Sequence, residues 1–125
     1  MMVYSVMQLV SLYTMSVFYI AAGINHFWHP AMYKRIVPTY LPWPMPLVYI
    51  SGVCEIVFAL LLLPTNTRWI AAWLIIALLI AVFPANIQMT LDYYRRHNPY
   101  TWVTIARLPI QILLIFWAWQ FTKRP

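Results

Sequence analysis

The sequence predicts an all-α integral membrane protein, a bundle of four transmembrane helices with a short interfacial segment between the first two. Of its 125 residues, 64% are hydrophobic and 8% are charged, whereas soluble domains carry about 25% charged residues. The apolar residues form four long, continuous runs without the alternation that is typical of strands. Each run approaches the roughly 20 residues that cross a bilayer as a helix.

The four predicted helices cover about residues 3–24, 46–63, 69–89 and 100–121 of a single domain. The first run has no basic stretch before it and is too long for a signal-peptide core, so we expect it to remain as a membrane helix. The segment PTNTR, residues 64–68, predicts a tight turn between antiparallel helices two and three. The polar segment LDYYRRHNP, residues 91–99, predicts a short link between helices three and four.

The first connection, residues 26–45, is longer and rich in proline, tryptophan and tyrosine. Pro30 suits the first turn of a helix, and the following AMYKRIV would give that helix one apolar and one basic face. Helices of this kind lie in the membrane interface, where aromatic side chains are also enriched. The segment therefore predicts a short interfacial helix followed by an extended, proline-rich return.

Small side chains mark the faces on which membrane helices approach each other closely. Ser51, Glu55 and Ala59 share one face of the second helix because they recur at every fourth position. The same spacing predicts a contact face on the third helix, formed by Ala77, Ala81 and Ala85.

Prolines interrupt the third and fourth helices. Pro84 and Pro109 each leave the carbonyl four residues earlier without its helical donor. Asn86 and Gln111 are nearby side-chain donors. Each kink either improves packing or widens a cavity.

Glu55 is a carboxylate in the middle of the apolar run VYISGVCEIVFALLLL. Such a group costs roughly 2.5–3.5 kcal/mol near the centre of a bilayer. The other charged residue inside an apolar run is Arg107. At about 1.5 Å per residue, Glu55 and Arg107 lie roughly 13 Å and 10 Å from the starts of their helices. The matching depths predict a Glu55–Arg107 pair, which is either part of a functional site or a structural strut.

Threading the four helices up and down places the unusual polar side chains at one level of the bundle. They are Asn25, His26, His29, Ser51, Glu55, Asn86, Gln88, Arg107 and Gln111. From them we predict a ligand-binding pocket lined by His26, Glu55, Asn86, Arg107 and Gln111, in which Glu55 and His26 are the candidate catalytic groups. His26 and His29 could join Glu55 as three metal ligands, but their aromatic neighbours indicate the membrane surface, and no metal site is expected.

The charge and the motifs exclude several classes of function. The net charge of +6 does not indicate nucleic acid, because the basic residues lie mostly at the ends of apolar runs, where they contact lipid headgroups. The single cysteine, Cys54, cannot form an internal disulfide or a CxxC pair. The sequence has no glycine-rich phosphate loop, GxSxG or HExxH motif.

Four stretches carry a family resemblance: AAGINHFWHPAMY, IVPTYLPWPMPLVYISGVCEIVFALLLLP, VFPANIQM and ARLPIQILLIFWAW. In these stretches, and in their order, the chain resembles the DoxX family of small bacterial membrane proteins. The resemblance implies a four-helix protein of the bacterial inner membrane. Some members of that family are subunits or partners of redox systems, including thiosulfate–quinone oxidoreduction. The matching motif positions are Gly23, His26, Pro38, Pro42, Gly52, Glu55, Pro64, Pro84, Asn86 and Arg107.

Three functions are compatible with these residues. The first is a redox-associated or accessory membrane protein whose pocket holds a quinone or a lipid headgroup, with Arg107 anchoring an acidic or carbonyl group. The second is a membrane enzyme that acts on a lipid-soluble substrate, with Glu55 as general base and His26 as a second titrating group. The third is a structural subunit of a larger respiratory-type complex, with Glu55–Arg107 as a strut.

The orientation in the membrane follows from the loop charges. The loops at the polar level carry four basic residues: Lys34, Arg35, Arg95 and Arg96. The opposite side carries three: Arg68, Lys123 and Arg124. Because positive loops stay in the cytoplasm, this count predicts that both termini of the multi-pass protein lie on the outer side of the inner membrane that the resemblance implies.

Overall fold

The computed structural model describes residues 4–30 and 42–123, and this part of the chain forms four helices without any strand. The helices are α1 Val6–Trp28, α2 Pro44–Leu61, α3 Thr65–Arg95 and α4 Thr101–Trp119. The predicted all-α bundle is therefore confirmed. The predicted interfacial helix falls largely on residues 31–41 and lies outside the described residues.

The helix ends follow local chemistry more closely than the apolar runs do. Ser5 and Gln8 form a capping box at the start of α1, in which each side chain accepts a hydrogen bond from the other residue's backbone N–H. At its other end α1 continues to Trp28, four residues beyond the predicted end, because no helix-breaking residue precedes Pro30. His26 consequently lies on the helix.

The third helix is longer at both ends than the predicted 69–89. It begins directly after Pro64 and ends at Arg95. Its last turns are polar, and the Gln88 side chain donates to Asp92 one turn later at 3.0 Å. With about 1.5 Å of rise per residue, its 31 residues exceed the roughly 30 Å of a bilayer's hydrocarbon core, so part of α3 must extend beyond it.

Among the described residues, α1, α3 and α4 are long and apolar enough to cross a membrane. The second helix is shorter, with an apolar stretch of Met45–Leu61 that is about 25 Å long. A bilayer accommodates a short helix by local thinning or by the snorkelling of flanking residues. The prediction of four spans thus holds by length for three helices, and α2 is the short member of the bundle.

The helices pack as two pairs, α1 with α2 and α3 with α4. A tight connection joins the pairs, and two side chains satisfy the last carbonyls of α2. The Thr67 hydroxyl donates to the Leu61 carbonyl at 2.7 Å. The Arg68 guanidinium donates to the Leu62 and Leu63 carbonyls at 2.9 and 2.8 Å, which are groups that a helix C-terminus leaves without donors.

The apolar core lies in one half of the bundle, formed by the starts of α1 and α3 and the ends of α2 and α4; we call it the core half. Its buried side chains are Leu12, Met15, Tyr19, Ala59, Leu62, Ala71, Ala72, Ile75, Ile76, Leu79, Ala118 and Phe121. Contacts between the two pairs are also found here. The Trp117 indole donates to the Ser11 hydroxyl at 2.8 Å, and Tyr4 packs on Phe121 and against Arg68.

The predicted alanine contact face on α3 is wrong. Ala77 and Ala81 are exposed, whereas Ala71 and Ala72 are buried. Lipid tails are as apolar as a helix neighbour, so a small residue gains nothing by turning inward unless a partner helix approaches it closely. The partner contacts of α3 lie instead on the face that carries Ala72, Ile75 and Leu79.

A buried hydroxyl links α1 to α2 in the core half. Ser16 is buried, and its hydroxyl donates to the Ala59 carbonyl at 2.9 Å. Interhelical hydrogen bonds in membranes contribute about 0.6 kcal/mol on average, so we expect Ser16→Ala to lower the free energy of unfolding in mixed micelles by about this amount. Thr14→Val is the control, because the exposed Thr14 hydroxyl bonds only within its own helix, to the Val10 carbonyl. Equal effects for both variants would contradict the role of Ser16.

Candidate functional site

The α1–α2 pair meets along a seam of small residues. The chain has two glycines, and they face each other across this seam. A Cβ atom on Gly23 would lie 2.7 Å from the carbonyl oxygen of Gly52, and a Cβ atom on Gly52 would lie 2.8 Å from the Cβ of His26. Any larger side chain at either position would force the helices apart. The two glycines therefore set the separation of α1 and α2 at this level.

This close approach brings His26 and Glu55 together. Helical side chains tilt toward the N-terminus of their helix. In the antiparallel pair, His26 on α1 and Glu55 on α2 therefore lean toward each other over the glycines. The Nδ1 atom of His26 lies 3.5 Å from the Oε2 atom of Glu55, and their side chains are 8% and 15% exposed. Glu55 faces a neighbouring helix, as its small-residue face predicts.

The histidine tautomer follows from its backbone contact. Nδ1 of His26 lies 2.7 Å from the carbonyl oxygen of Ala22, one turn earlier. A carbonyl only accepts hydrogen bonds, so Nδ1 must carry the proton. In the neutral ring Nε2 is then the basic nitrogen. The backbone of α1 thus fixes both the orientation and the tautomer of the imidazole beside Glu55.

Tyr19 is the member of this site that the sequence reasoning missed. It lies on the α1–α2 seam, is 4% exposed, and its hydroxyl is within electrostatic range of the Glu55 carboxyl. Two buried atoms in the described part of the chain have no hydrogen-bond partner, the Tyr19 hydroxyl and Oε2 of Glu55. Tyr19 stands four residues before Gly23 and seven before His26, and this spacing, which places all three on one helix face, could have revealed it.

The other predicted site residues lie between α3 and α4. The Asn86 amide donates to the side-chain oxygen of Gln111, and the Gln111 amide donates to the Leu79 carbonyl. Gln111 is 4% exposed. The Gln111 side chain therefore donates to a carbonyl of α3 near Pro84, but the acceptor is Leu79 and not the Ile80 carbonyl that the proline frees.

The predicted Glu55–Arg107 pair does not form. The Arg107 guanidinium contacts the sulfur of Met89 at 4.0 Å, whereas Glu55 contacts His26. Among the described residues, no Cα atom of α2 lies within 8 Å of one in α4. A matching depth does not reveal which neighbour a helix face meets. Arg107 lies four residues before Gln111 and shares its α3-facing side.

The predicted single cluster is thus two separate groups. His26, Glu55 and Tyr19 form one between α1 and α2, and we call it the α1–α2 site. Asn86, Gln111 and Arg107 line the α3–α4 seam. The helix ends that carry most of these groups are less packed than the core half, and an open apolar depression follows α1 from Val17 to Trp28.

The metal arrangement considered for His26, His29 and Glu55 is not assembled. His29 is exposed, and its ring stacks on Trp28 with centroids 5.9 Å apart. Within residues 4–30 and 42–123, no group of three His, Cys, Asp or Glu side chains could hold a metal ion. Cys54, next to Glu55 in sequence, is a half-buried free thiol.

These features define a class: a small helical membrane protein with an ionisable pair, His26 and Glu55, inside an apolar helix seam. Residues 15–122 match the model of a family described as Domain of unknown function (DUF8561). Because the match covers most of the chain, the protein belongs to that family. No curated protein and no solved structure matches it.

Proposed function

We propose that this protein is an accessory membrane protein that binds a lipid-soluble molecule of the quinone or quinol class at the α1–α2 site. The observation that carries the proposal is the pair of buried atoms without hydrogen-bond partners, the Tyr19 hydroxyl and Oε2 of Glu55. Such atoms each cost about 1–3 kcal/mol. A protein that keeps two such atoms within electrostatic range of each other gains from a ligand that satisfies both.

The chemistry of the site indicates the polar group of that ligand. A tyrosine hydroxyl donates a hydrogen bond, and a carboxyl oxygen accepts one. A quinone carbonyl would accept from Tyr19, and a quinol hydroxyl would donate to Glu55. The partly exposed Glu55 side chain offers the point of first contact for a molecule that arrives through the lipid. His26, held by the Ala22 carbonyl, would orient the carboxyl group.

The wider biological setting is part of the same proposal. The resemblance to the DoxX family supports a redox-associated role in a bacterial inner membrane, alone or as a subunit of a larger redox complex. Both termini would lie on the outer side, because the loops at the opposite membrane surface carry one more basic residue. Purification from native membranes in mild detergent tests the complex, since a subunit retains its partners.

A second candidate function is a membrane enzyme with Glu55 as general base. The observation that favours it is the contact between the His26 ring and the Glu55 carboxyl, at 3.5 Å, because paired titrating groups perform proton transfers. Product formation from a lipid extract by the wild-type protein, lost in Glu55→Gln, would support this candidate.

Tyr19→Phe tests the binding function because its effect on stability, relative to the wild type, should depend on whether the ligand is present. Without ligand, we expect the variant to be as stable as the wild type or up to about 1 kcal/mol more stable, because it removes a buried hydroxyl that lacks a partner. With a quinone added at about 100 times its Kd, the wild type should gain about 2.7 kcal/mol and the variant clearly less. The measurement is thermal unfolding in detergent with and without ubiquinone or menaquinone. Glu55→Gln should weaken the same response.

Tyr13→Phe is the matched control, because Tyr13 lies on the same helix and is 54% exposed. It should retain the full ligand response. The proposal fails if the wild type gains no stability from either quinone. It also fails if Tyr19→Phe and Tyr13→Phe respond to the ligand equally.

A further inference from the structure

Arg107 is a permanent cation inside the bundle that has no carboxylate partner in the part of the chain that the structure describes. The sequence contains two acidic residues, Glu55 and Asp92. Glu55 lies against His26 on the other helix pair, and Asp92 accepts a hydrogen bond from Gln88. Within residues 4–30 and 42–123, no carboxylate oxygen lies within 4.0 Å of the Arg107 guanidinium. Its contact there is the Met89 sulfur, which is a weak acceptor.

The position of Arg107 indicates where an anion would come from. It lies six residues after the start of α4, about 9 Å along the helix. Helical side chains tilt toward the N-terminus, which here is the direction of the membrane surface. A long arginine side chain can then place its head at the interface while its stem remains among apolar groups.

The surroundings of this surface fit an interface with lipid headgroups. Three aromatic side chains near the end of α3 and the start of α4 are strongly exposed: Tyr94, Tyr100 and Trp102. Such residues are typical of the headgroup level. Two further cations, Arg95 and Arg96, lie at the same end of α3 and are exposed. The α3–α4 seam therefore combines a half-buried guanidinium with a basic and aromatic rim.

We infer that the α3–α4 seam binds the phosphate of an anionic phospholipid, with Arg107 as its main contact and Arg95 and Arg96 at the rim. A guanidinium binds phosphate oxygens with two parallel hydrogen bonds. Basic clusters at a membrane surface attract anionic lipids. This site is separate from the α1–α2 site, and its existence does not depend on the function proposed there.

The test measures lipid binding to the full chain in mild detergent by native mass spectrometry. The probes are phosphatidylglycerol, phosphatidylcholine and the water-soluble glycerol phosphate. We expect the wild type to bind phosphatidylglycerol more tightly than phosphatidylcholine, and Arg107→Gln to lose about tenfold in affinity for phosphatidylglycerol. Glycerol phosphate should bind weakly, because it lacks the acyl chains that a membrane lipid provides. Binding of glycerol phosphate as tight as that of phosphatidylglycerol would overturn the lipid assignment.

Lys123→Gln is the control, because it removes one exposed positive charge at the opposite end of the bundle and should keep the preference. Arg107→Lys retains the positive charge and should keep a part of the preference for phosphatidylglycerol. Equal binding of the two phospholipids by the wild type overturns the inference, and so does an Arg107→Gln variant that folds and keeps the wild-type preference.

Discussion

Gly23→Ala is expected to destabilise the protein by about 1–3 kcal/mol, the range for overpacking a close contact. Alanine is roughly 1 kcal/mol more favourable than glycine inside a helix. The steric clash of the new methyl group must therefore cost more than this gain for the stability to fall. The reason is the new Cβ atom, which would lie 2.7 Å from the Gly52 carbonyl oxygen and 2.6 Å from a side-chain carbon of Ile56. Ile56 can rotate, but the backbone of Gly52 cannot move without moving α2.

The measurement is reversible unfolding in mixed micelles, together with the quinone response of the α1–α2 site. Gly52→Ala should act similarly, because its Cβ would lie 2.8 Å from that of His26. Ala21→Leu is the control: it adds three carbons on the exposed side of the same helix and should change the stability little. If Gly23→Ala and Gly52→Ala are both as stable as the wild type, the two glycines do not set the helix separation.

The position of Glu55 could be predicted, but its partner could not. Its spacing from Ala59 correctly placed it on a face that meets another helix. The partner depends on which helices pair and how each is rotated, and neither property is encoded in depth. A helix pair that is held by glycines can approach closely enough for a histidine near the end of α1 to reach the carboxylate. Arg107 lies on a helix with no Cα atom within 8 Å of α2 among the described residues, and its guanidinium contacts Met89 instead.

Tyr19 shows the converse limit of sequence reasoning. In an apolar run rich in tyrosine, one hydroxyl gives no signal of its own. The α1–α2 seam becomes recognisable when Leu12, Ser16, Tyr19, Gly23 and His26 are considered together, since their alternating steps of four and three residues describe one helix face. That pattern predicts a shared face. It does not predict that the hydroxyl of Tyr19 would lie within electrostatic range of the carboxyl of Glu55, because this depends on the register against α2.

The predicted polar residues lie in two different helix pairs and have different roles there. The α1–α2 site holds atoms without partners, which indicates a ligand. Between α3 and α4, Asn86 and Gln111 satisfy each other and the Leu79 carbonyl, which indicates a structural role. Satisfied amides stabilise a fold, whereas unsatisfied ones cost free energy unless something binds. Polar residues that the sequence predicts to form one cluster can therefore serve opposite purposes.

Gln111→Leu is accordingly expected to destabilise the protein by about 1–3 kcal/mol. The substitution keeps a similar volume but removes the donor to the Leu79 carbonyl and the acceptor for the Asn86 amide, and Gln111 is 4% exposed. The ligand response of the α1–α2 site should persist, because the two groups are separate.

The double variant Asn86→Leu/Gln111→Leu distinguishes this network from simple packing. Once Asn86 has also been replaced, no unpaired amide is left at this position. The double variant should therefore lose less stability than the sum of the two single variants. Contacting polar residues typically show a coupling of about 0.5–3 kcal/mol in such cycles. Gln120→Leu, near the exposed end of α4, is the control and should change the free energy of unfolding little. Strict additivity of Asn86→Leu and Gln111→Leu would show that the two amides act independently, and the structural role assigned to their hydrogen bond would then be wrong.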